Sequence, residues 1–452
     1  MMKKLVLLLA TALLLSGCFA GGLEKNAPKT PAEWSSYRAQ NIEQVKAEDL
    51  KKWWENFNDP QINDLVAKTL LDSPDRLIAE ARIKEARGLR RNARSFLFPQ
   101  IGASASKGRE KSAFTGPSDN TQAGFDASFE LDIFGVNRKA AGAADNNLRA
   151  LEYAYHDVSL TLVAETIRSY VEARGFEKQI RIAEKNLSIQ KETLKLIKQQ
   201  QEFGEAPQLD VERAESLVNT TRASIPEFKR LAQNSRLQLT VLTGLLPEEL
   251  DTYFDKQTDI PGVSLEPIIA SPAQVLALRP DIKAAAYALE AQTDIAESTT
   301  REIFPTLSLG GMFAYLDSGL ASGTQIWSFS LSSAVALLDF GRIEGRIDAA
   351  RAVEKQSYEQ YRRTVLAAVA EVEIALNDFG RISEQRQSLK KAFDNANNAL
   401  KLSQSLFKEG EISFLDVLDS QRTVNEADAA FINAEAAQVE ALIRLYKSLG
   451  VY

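Results

Sequence analysis

The chain repeats itself at one fixed distance. "SPDRLIAEARIKEA" from Ser73 matches "RPDIKAAAYALEAQ" from Arg279, and "FPQIGASAS" from Phe98 matches "FPTLSLGGM" from Phe304. Gly135 of "LDIFG" falls on Gly341 of "LLDFG", Gly204 on Gly410, Asp210 on Asp416, and Gly244 on Gly450. Every pair is 206 residues apart. Ungapped agreement of this kind marks a duplicated unit, which must be recognised before any element is assigned. The expected organisation is a first repeat over 59–250, a Pro-containing linker over 251–272 and a second repeat over 273–450.

Each repeat reads the same way. A helix is expected from Asp59 to Phe96, with Asp59 as N-cap and Pro60 at the first helical position. Two strands follow, at about 100–110 and 122–133. A very long helix then runs from Asn137 to Phe203, breaks over Gly204 to Pro207, and gives way to a helix ending near Leu242. The second repeat follows suit: a helix over Leu276 to Ile303, strands at about 305–317 and 326–339, a helix over Arg342 to Phe407, a break at Glu409 to Ser413 and a helix to Leu449.

The long helices carry coiled-coil spacing. Ala173, Phe176, Ile180, Ala183, Leu187, Gln190, Leu194 and Ile197 step by alternating threes and fours. Gln190 is the one polar member, and the counterparts 206 later, from Phe379 to Ser403, include two, Arg386 and Ser403. Such a seam drives supercoiling. At ~1.5 Å per residue a helix of this length is roughly 100 Å long, several domain widths. A dimerising coiled coil would explain the seam but not the strands.

The strands alternate. Phe125, Ala127, Phe129 and Leu131 share one face, against Asp126, Ser128, Glu130 and Asp132 on the other. Trp327, Phe329, Leu331, Val335 and Leu337 alternate with Ser328, Ser330, Ser332, Ala334 and Ala336, and Leu307, Leu309, Phe313 and Tyr315 share a face. A period of two gives a sheet with one apolar and one polar face. That suits either a sandwich packed on a core or a membrane barrel, apolar outside and wet inside. The acidic residues on the polar faces and the Gly/Ser-rich tips at Lys111 to Thr121 and Asp317 to Thr324 favour the barrel. Four strands cannot close one, and lipid forbids an open edge. Several chains must then share a barrel.

Outside the repeats, Lys3 and Lys4 precede an apolar run from Leu5 to Leu15. It is too short to span a bilayer and reads as a signal peptide over 1–17. "LSGC", ending at Cys18, resembles a bacterial lipobox, which implies cleavage before Cys18, a diacylglycerol and an N-acyl chain on that cysteine, and a lipid-anchored extension over 18–58. Removing the two lysines takes the net charge from −7 to −9. Phe19, where an Asp would favour inner-membrane retention, points to the outer membrane. The net negative charge argues against nucleic acid. One His and one Cys in 452 residues argue against a metal site, a cofactor site or Ser-His or Cys-His catalysis. Asp339-Phe340-Gly341 spells a kinase motif without its companions, and no enzyme constellation is present.

Taken in order, the lipobox, "WWENFNDPQINDLV" from Trp53, the paired "FP" strand starts, "LDIFG", "LLDFG" and "FKEGEISFLDVLDSQ" from Phe407 resemble the TolC-type outer membrane factors, in particular the lipidated branch serving tripartite pumps of the resistance-nodulation-division type. The resemblance covers the whole mature chain. It implies a mainly α fold with a small β part: a long α-barrel tunnel and a twelve-stranded transmembrane β-barrel, both shared by a homotrimer in the outer membrane, with the helices reaching into the periplasm. It also implies a periplasmic adaptor and an inner-membrane transporter as partners, and export of drugs or other toxic compounds. A duct for type I protein secretion, or a non-conducting coiled-coil lipoprotein, stands as the alternative.

The resemblance assigns a periplasmic gate to Asp416 and Asp419, with Asp210 and Phe407, and adaptor-docking tips to Gly204, Glu205, Ala206, Gly410, Glu411 and Ile412. Residues three apart share a helix face, so three copies of Asp416 and Asp419 would crowd six carboxylates and attract cations. Ser413-x-x-Asp416 also reads as a helix cap, which needs no pore at all. Relatives often place a Tyr and an Arg before the aspartates as a latch; Phe407 and Ile412 stand here instead, so Phe407 can only pack.

Overall fold

The computed structural model describes residues 31–35, 43–44, 46, 50–112, 116–256, 258–262, 266–318 and 321–452. Cys18 and the signal segment 1–17 lie outside the described residues. The helices are α1 (Pro60–Asp72), α2 (Pro74–Ser95), α3 (Val136–Glu202), α4 (Gln208–Thr243), α5 (Pro247–Asp251), α6 (Pro272–Leu278), α7 (Pro280–Thr300), α8 (Arg342–Lys408) and α9 (Phe414–Ser448). The strands are β1 (Glu43–Gln44), β2 (Gln100–Ser112), β3 (Gly116–Glu130), β4 (Ile268–Ile269), β5 (Thr306–Ser318) and β6 (Ala321–Ala334). Two compact units emerge, one built on 96–143 and 289–363, the other on 30–95, 144–288 and 364–452. Each draws on both repeats.

The first unit is a four-stranded antiparallel sheet in the order β2-β3-β5-β6. Its register lines up the apolar positions. Ile101, Ala127, Gly311 and Phe329 form one row; Ala103, Phe125, Phe313 and Trp327 form the next. Phe129, Leu309 and Leu331 extend the band at one end, and Ala105, Ala123 and Tyr315 at the other. Beyond it the same face turns charged, with Arg109 opposite Asp119 at 3.7 Å. From Leu307 to Tyr315 the band covers about 27 Å of strand at ~3.4 Å per residue. Trp327 is 76% exposed and Phe329 72%. None of the described residues covers this face.

Both strand-to-helix turns are built alike. Gly135 (φ 80°) and Gly341 (φ 85°) take the left-handed conformation. Asp132 accepts from the N–H groups of Asn137 (3.1 Å) and Arg138 (2.8 Å) at the start of α3. Asp132 therefore anchors a helix start and is no wall residue of a lumen, because the strand ends at Glu130. In the second repeat Asp339 does the same for Gly341 and Ile343. There β6 stops at Ala334, so Val335 and Leu337 lie beyond the sheet.

The second unit holds the principal core. Trp53 stacks on Tyr446 with ring centroids 5.1 Å apart, beside Trp54, Phe57, Leu442 and Leu445. The expected single helix over Asp59 to Phe96 is instead α1 and α2, broken at Ser73 (ψ 126°) because Pro74 offers no N–H and pushes its predecessor out of the helical region. Arg279 and Pro280 break the second copy in the same way. The Asp59 cap forms: its carboxylate accepts from Gln61 N–H at 2.8 Å. The residues before the first repeat also join the core. Trp34 is buried and donates through its indole to Ala270 O (2.8 Å), and β1 pairs in parallel with β4, inside the stretch read as a linker.

Candidate functional site: the helix-hairpin tips

Each long helix reverses at a glycine. Gly204 and Gly410 both have φ 77°, and no atom lies within 4 Å of where a side chain would begin. The backbone conformation, not crowding, asks for glycine. Gly204 N–H donates to Gln201 O and Glu205 N–H to Gln200 O; Gly410 and Glu411 repeat this to Phe407 O and Leu406 O. This is the doubly bonded αL ending that satisfies the last carbonyls of a helix. Glu205 and Glu411 point to solvent, while Ala206 and Ile412 are half-buried.

A small apolar cluster joins the two tips. Ile197, Val211, Ala214, Phe414 and Val417 are buried in it, with Leu194, Ala206, Leu400, Phe407, Ile412 and Leu418 packed around them. Phe407 and Phe414 meet at a 5.8 Å centroid distance. Phe407 makes ring contact only, as a residue lacking a hydroxyl must.

Asp416 closes a capping box at the start of α9. Its Oδ2 accepts from Ser413 N–H at 3.1 Å and from Ser413 Oγ at 2.6 Å. Asp419 lies on the same exposed face and pairs with Arg422 at 2.8 Å. Arg422 also leans toward Glu426 at 3.8 Å. In the first repeat Asp210 is half-buried and faces Arg213 at 3.5 Å. No short motif marks the arginine partners, yet the repeat shows one of them: 206 residues before Asp419 stands Arg213. Asp210 thus has an arginine three residues on, where Asp416 has Asp419, itself paired with Arg422.

Comparison with known proteins fits this geometry. The family model described as outer membrane efflux protein matches residues 65–245 and 271–451. The chain belongs to the outer membrane efflux protein family. The two matched segments start 206 residues apart and end 206 apart, the offset of the repeat. The pyoverdine export outer membrane protein OpmQ of Pseudomonas aeruginosa is 28% identical over all of this chain and 97% of its own length. The solvent efflux pump outer membrane protein SrpC of Pseudomonas putida is also 28% identical, over 97% of this chain and 96% of its own. The solved outer-membrane channel OprN superposes with a TM-score of 0.87 at 30% identity, covering 94% of this chain and 98% of that one. This member of the efflux family is a mainly helical outer-membrane duct with a small sheet.

Proposed function

We propose that the chain is one third of an outer-membrane exit duct of a tripartite efflux pump. It takes small toxic compounds from a periplasmic adaptor and an inner-membrane transporter and passes them outside, with no chemical step of its own. The observation that carries this is the uncovered apolar band of the sheet together with its two unpaired edges, β2 and β6. Those features are compatible with lipid only if neighbouring copies complete the barrel. Three copies supply twelve strands. Cys18 carries the lipid anchor in this reading, and no cofactor is needed.

Asp416 and Asp419 form the gate rings, Asp210 and Phe407 support them, and Gly204 to Ala206 with Gly410 to Ile412 dock the adaptor. What supports this is that both aspartates are exposed on one face at a tip. The cargo is chosen mainly by the inner-membrane partner in this reading; equal identity to a pyoverdine exporter and to a solvent pump supports it.

Single-channel recording of the purified protein tests the reading. The expected result is a detergent-stable trimer with a cation-sensitive conductance; a monomer, or a silent bilayer, overturns it. The gate is tested by Asp416→Asn with Asp419→Asn, because asparagine keeps the helix-capping oxygen and removes the charge. Basal conductance rises or cation block weakens; a wild-type response removes the aspartates from the gate.

A further inference from the structure

Among the four long strands only β2 carries lysine or arginine. The three are Lys107, Arg109 and Lys111, at alternate positions, so they share one face. That face is the apolar one: Ile101, Ala103 and Ala105 precede them with the same parity, and the β2–β3 register runs without a shift from Gln100 to Ser112. The opposite face holds Glu110, Asp126 and Glu130. The strand does not need bases there, because the second copy, 206 residues on, has Phe313, Tyr315 and Asp317 at the same places. Nor is the chain basic in general, with a net charge of −7.

Opposing charge is sparse along this column. Arg109 faces Asp119 at 3.7 Å, with both side chains exposed. Lys107 stands opposite Thr121 and Lys111 opposite Pro117, and Asp317 lies beyond Thr121, two strands from Lys107. At ~3.4 Å per residue the three bases cover about 14 Å, wide enough for a headgroup with more than one phosphate. One row nearer the helices the same face has a hollow of about 310 Å³, whose lining includes Ala103, Ala105, Ala123, Phe125 and Phe313. The alanines leave the space and the phenylalanines wall it. Tyr315 ends the apolar rows beside Ala105 and Ala123, as aromatic residues do at a lipid–water border. Charge therefore begins where the apolar hollow stops.

We infer that β2 holds a lipid of the outer leaflet, a phosphorylated glycolipid with its phosphates on Lys107, Arg109 and Lys111 and an acyl chain in the hollow. This rests on the duct reading, which puts the strand ends that join helices on the periplasmic side and the β2–β3 hairpin on the outer side. Each base near a membrane surface adds attraction for an anionic headgroup, and Arg109 can take a phosphate with two N–H groups at once. Free phosphate would meet the charges and leave the hollow empty. An ordinary phospholipid would fill the hollow and bring one phosphate to three bases.

Native mass spectrometry of the full-length protein in detergent tests this, with purified diphosphoryl lipid A as the probe. One molecule per subunit should bind. Lys107→Gln/Arg109→Gln/Lys111→Gln should weaken binding at least about tenfold. Ala105→Phe, which keeps every charge and fills the hollow, should weaken it too, and Asp119→Asn, which frees Arg109, should tighten it. Dephosphorylated lipid A and phosphatidylglycerol should bind the wild type no better than lipid A binds the triple variant. Unchanged binding in the triple variant, full binding in Ala105→Phe, or equal binding of phosphatidylglycerol overturns the proposal. Inorganic phosphate displacing lipid A at equal concentration makes the hollow a bystander and overturns it as well. The same spectra count subunits: a trimer without selective binding sinks the lipid site alone, and a one-chain mass sinks the duct and the site with it.

Discussion

At the scale of single residues, buried charge separates structural from functional roles. Arg174 is fully buried in the second unit. It pairs with Glu177 (2.7 Å), donates to the carbonyls of Tyr253 (2.7 Å) and Lys256 (3.0 Å), and stands 4.8 Å from the centre of the Phe254 ring. Arg174→Met should cost about 3 kcal/mol, because it takes the donor from the carbonyls of Tyr253 and Lys256 and from Gln61 Oε1, while Glu177 keeps Arg236; urea unfolding measures it. Asp428 gives a pH prediction. Burial makes its folded acid weaker than the unfolded one, so its ionisation costs stability as pH rises above the ordinary 3.8, and acidification toward that value relieves the cost. Relative to Asp428→Asn, the wild type should therefore gain thermal stability as pH falls through that window; parallel melting curves against pH would contradict it. Some residue roles were legible from sequence. The Asp59 cap and the Ser413–Asp416 box each follow a local pattern of a few residues. Asp132 misled because alternation alone does not say where a strand stops, and its pairing with the start of α3 depends on the turn at Gly135.

At the scale of elements, periodicity marks the long helices and proline marks their breaks. The seam from Ala173 to Ile197 and its copy lie in unbroken helices of 67 residues. The breaks at Ser73 and Arg279 were equally readable, since a proline follows each. The burial of Trp34 and Leu50 was not, because neither sits in a periodic apolar run. Gly410→Ala and Gly204→Ala should each cost about 1 kcal/mol from the left-handed backbone alone, as no neighbour would be struck. Thermal denaturation reads this out, and a larger loss would show that the tips bear contacts beyond one chain. The unlike pairing at the two tips also belongs here. Duplication supplied two identical reversals, and with Asp419 standing where the first copy has Arg213, Asp416 lacks the arginine three residues on that Asp210 keeps.

At the scale of the whole molecule, the lipid-facing band is the feature to break. Phe329→Arg places a charge mid-band and should cost about 2–4 kcal/mol of membrane insertion. Heat-resistant trimers in outer-membrane fractions should fall accordingly, and a normal yield would move that face out of lipid. The sheet's unpaired borders carry a further consequence for the cell. A subunit whose β6 border is blocked by proline would still mate through β2, so it would enter rings and spoil them from within. Such an allele should act dominantly, leaving intact pores only where every member came from the healthy copy.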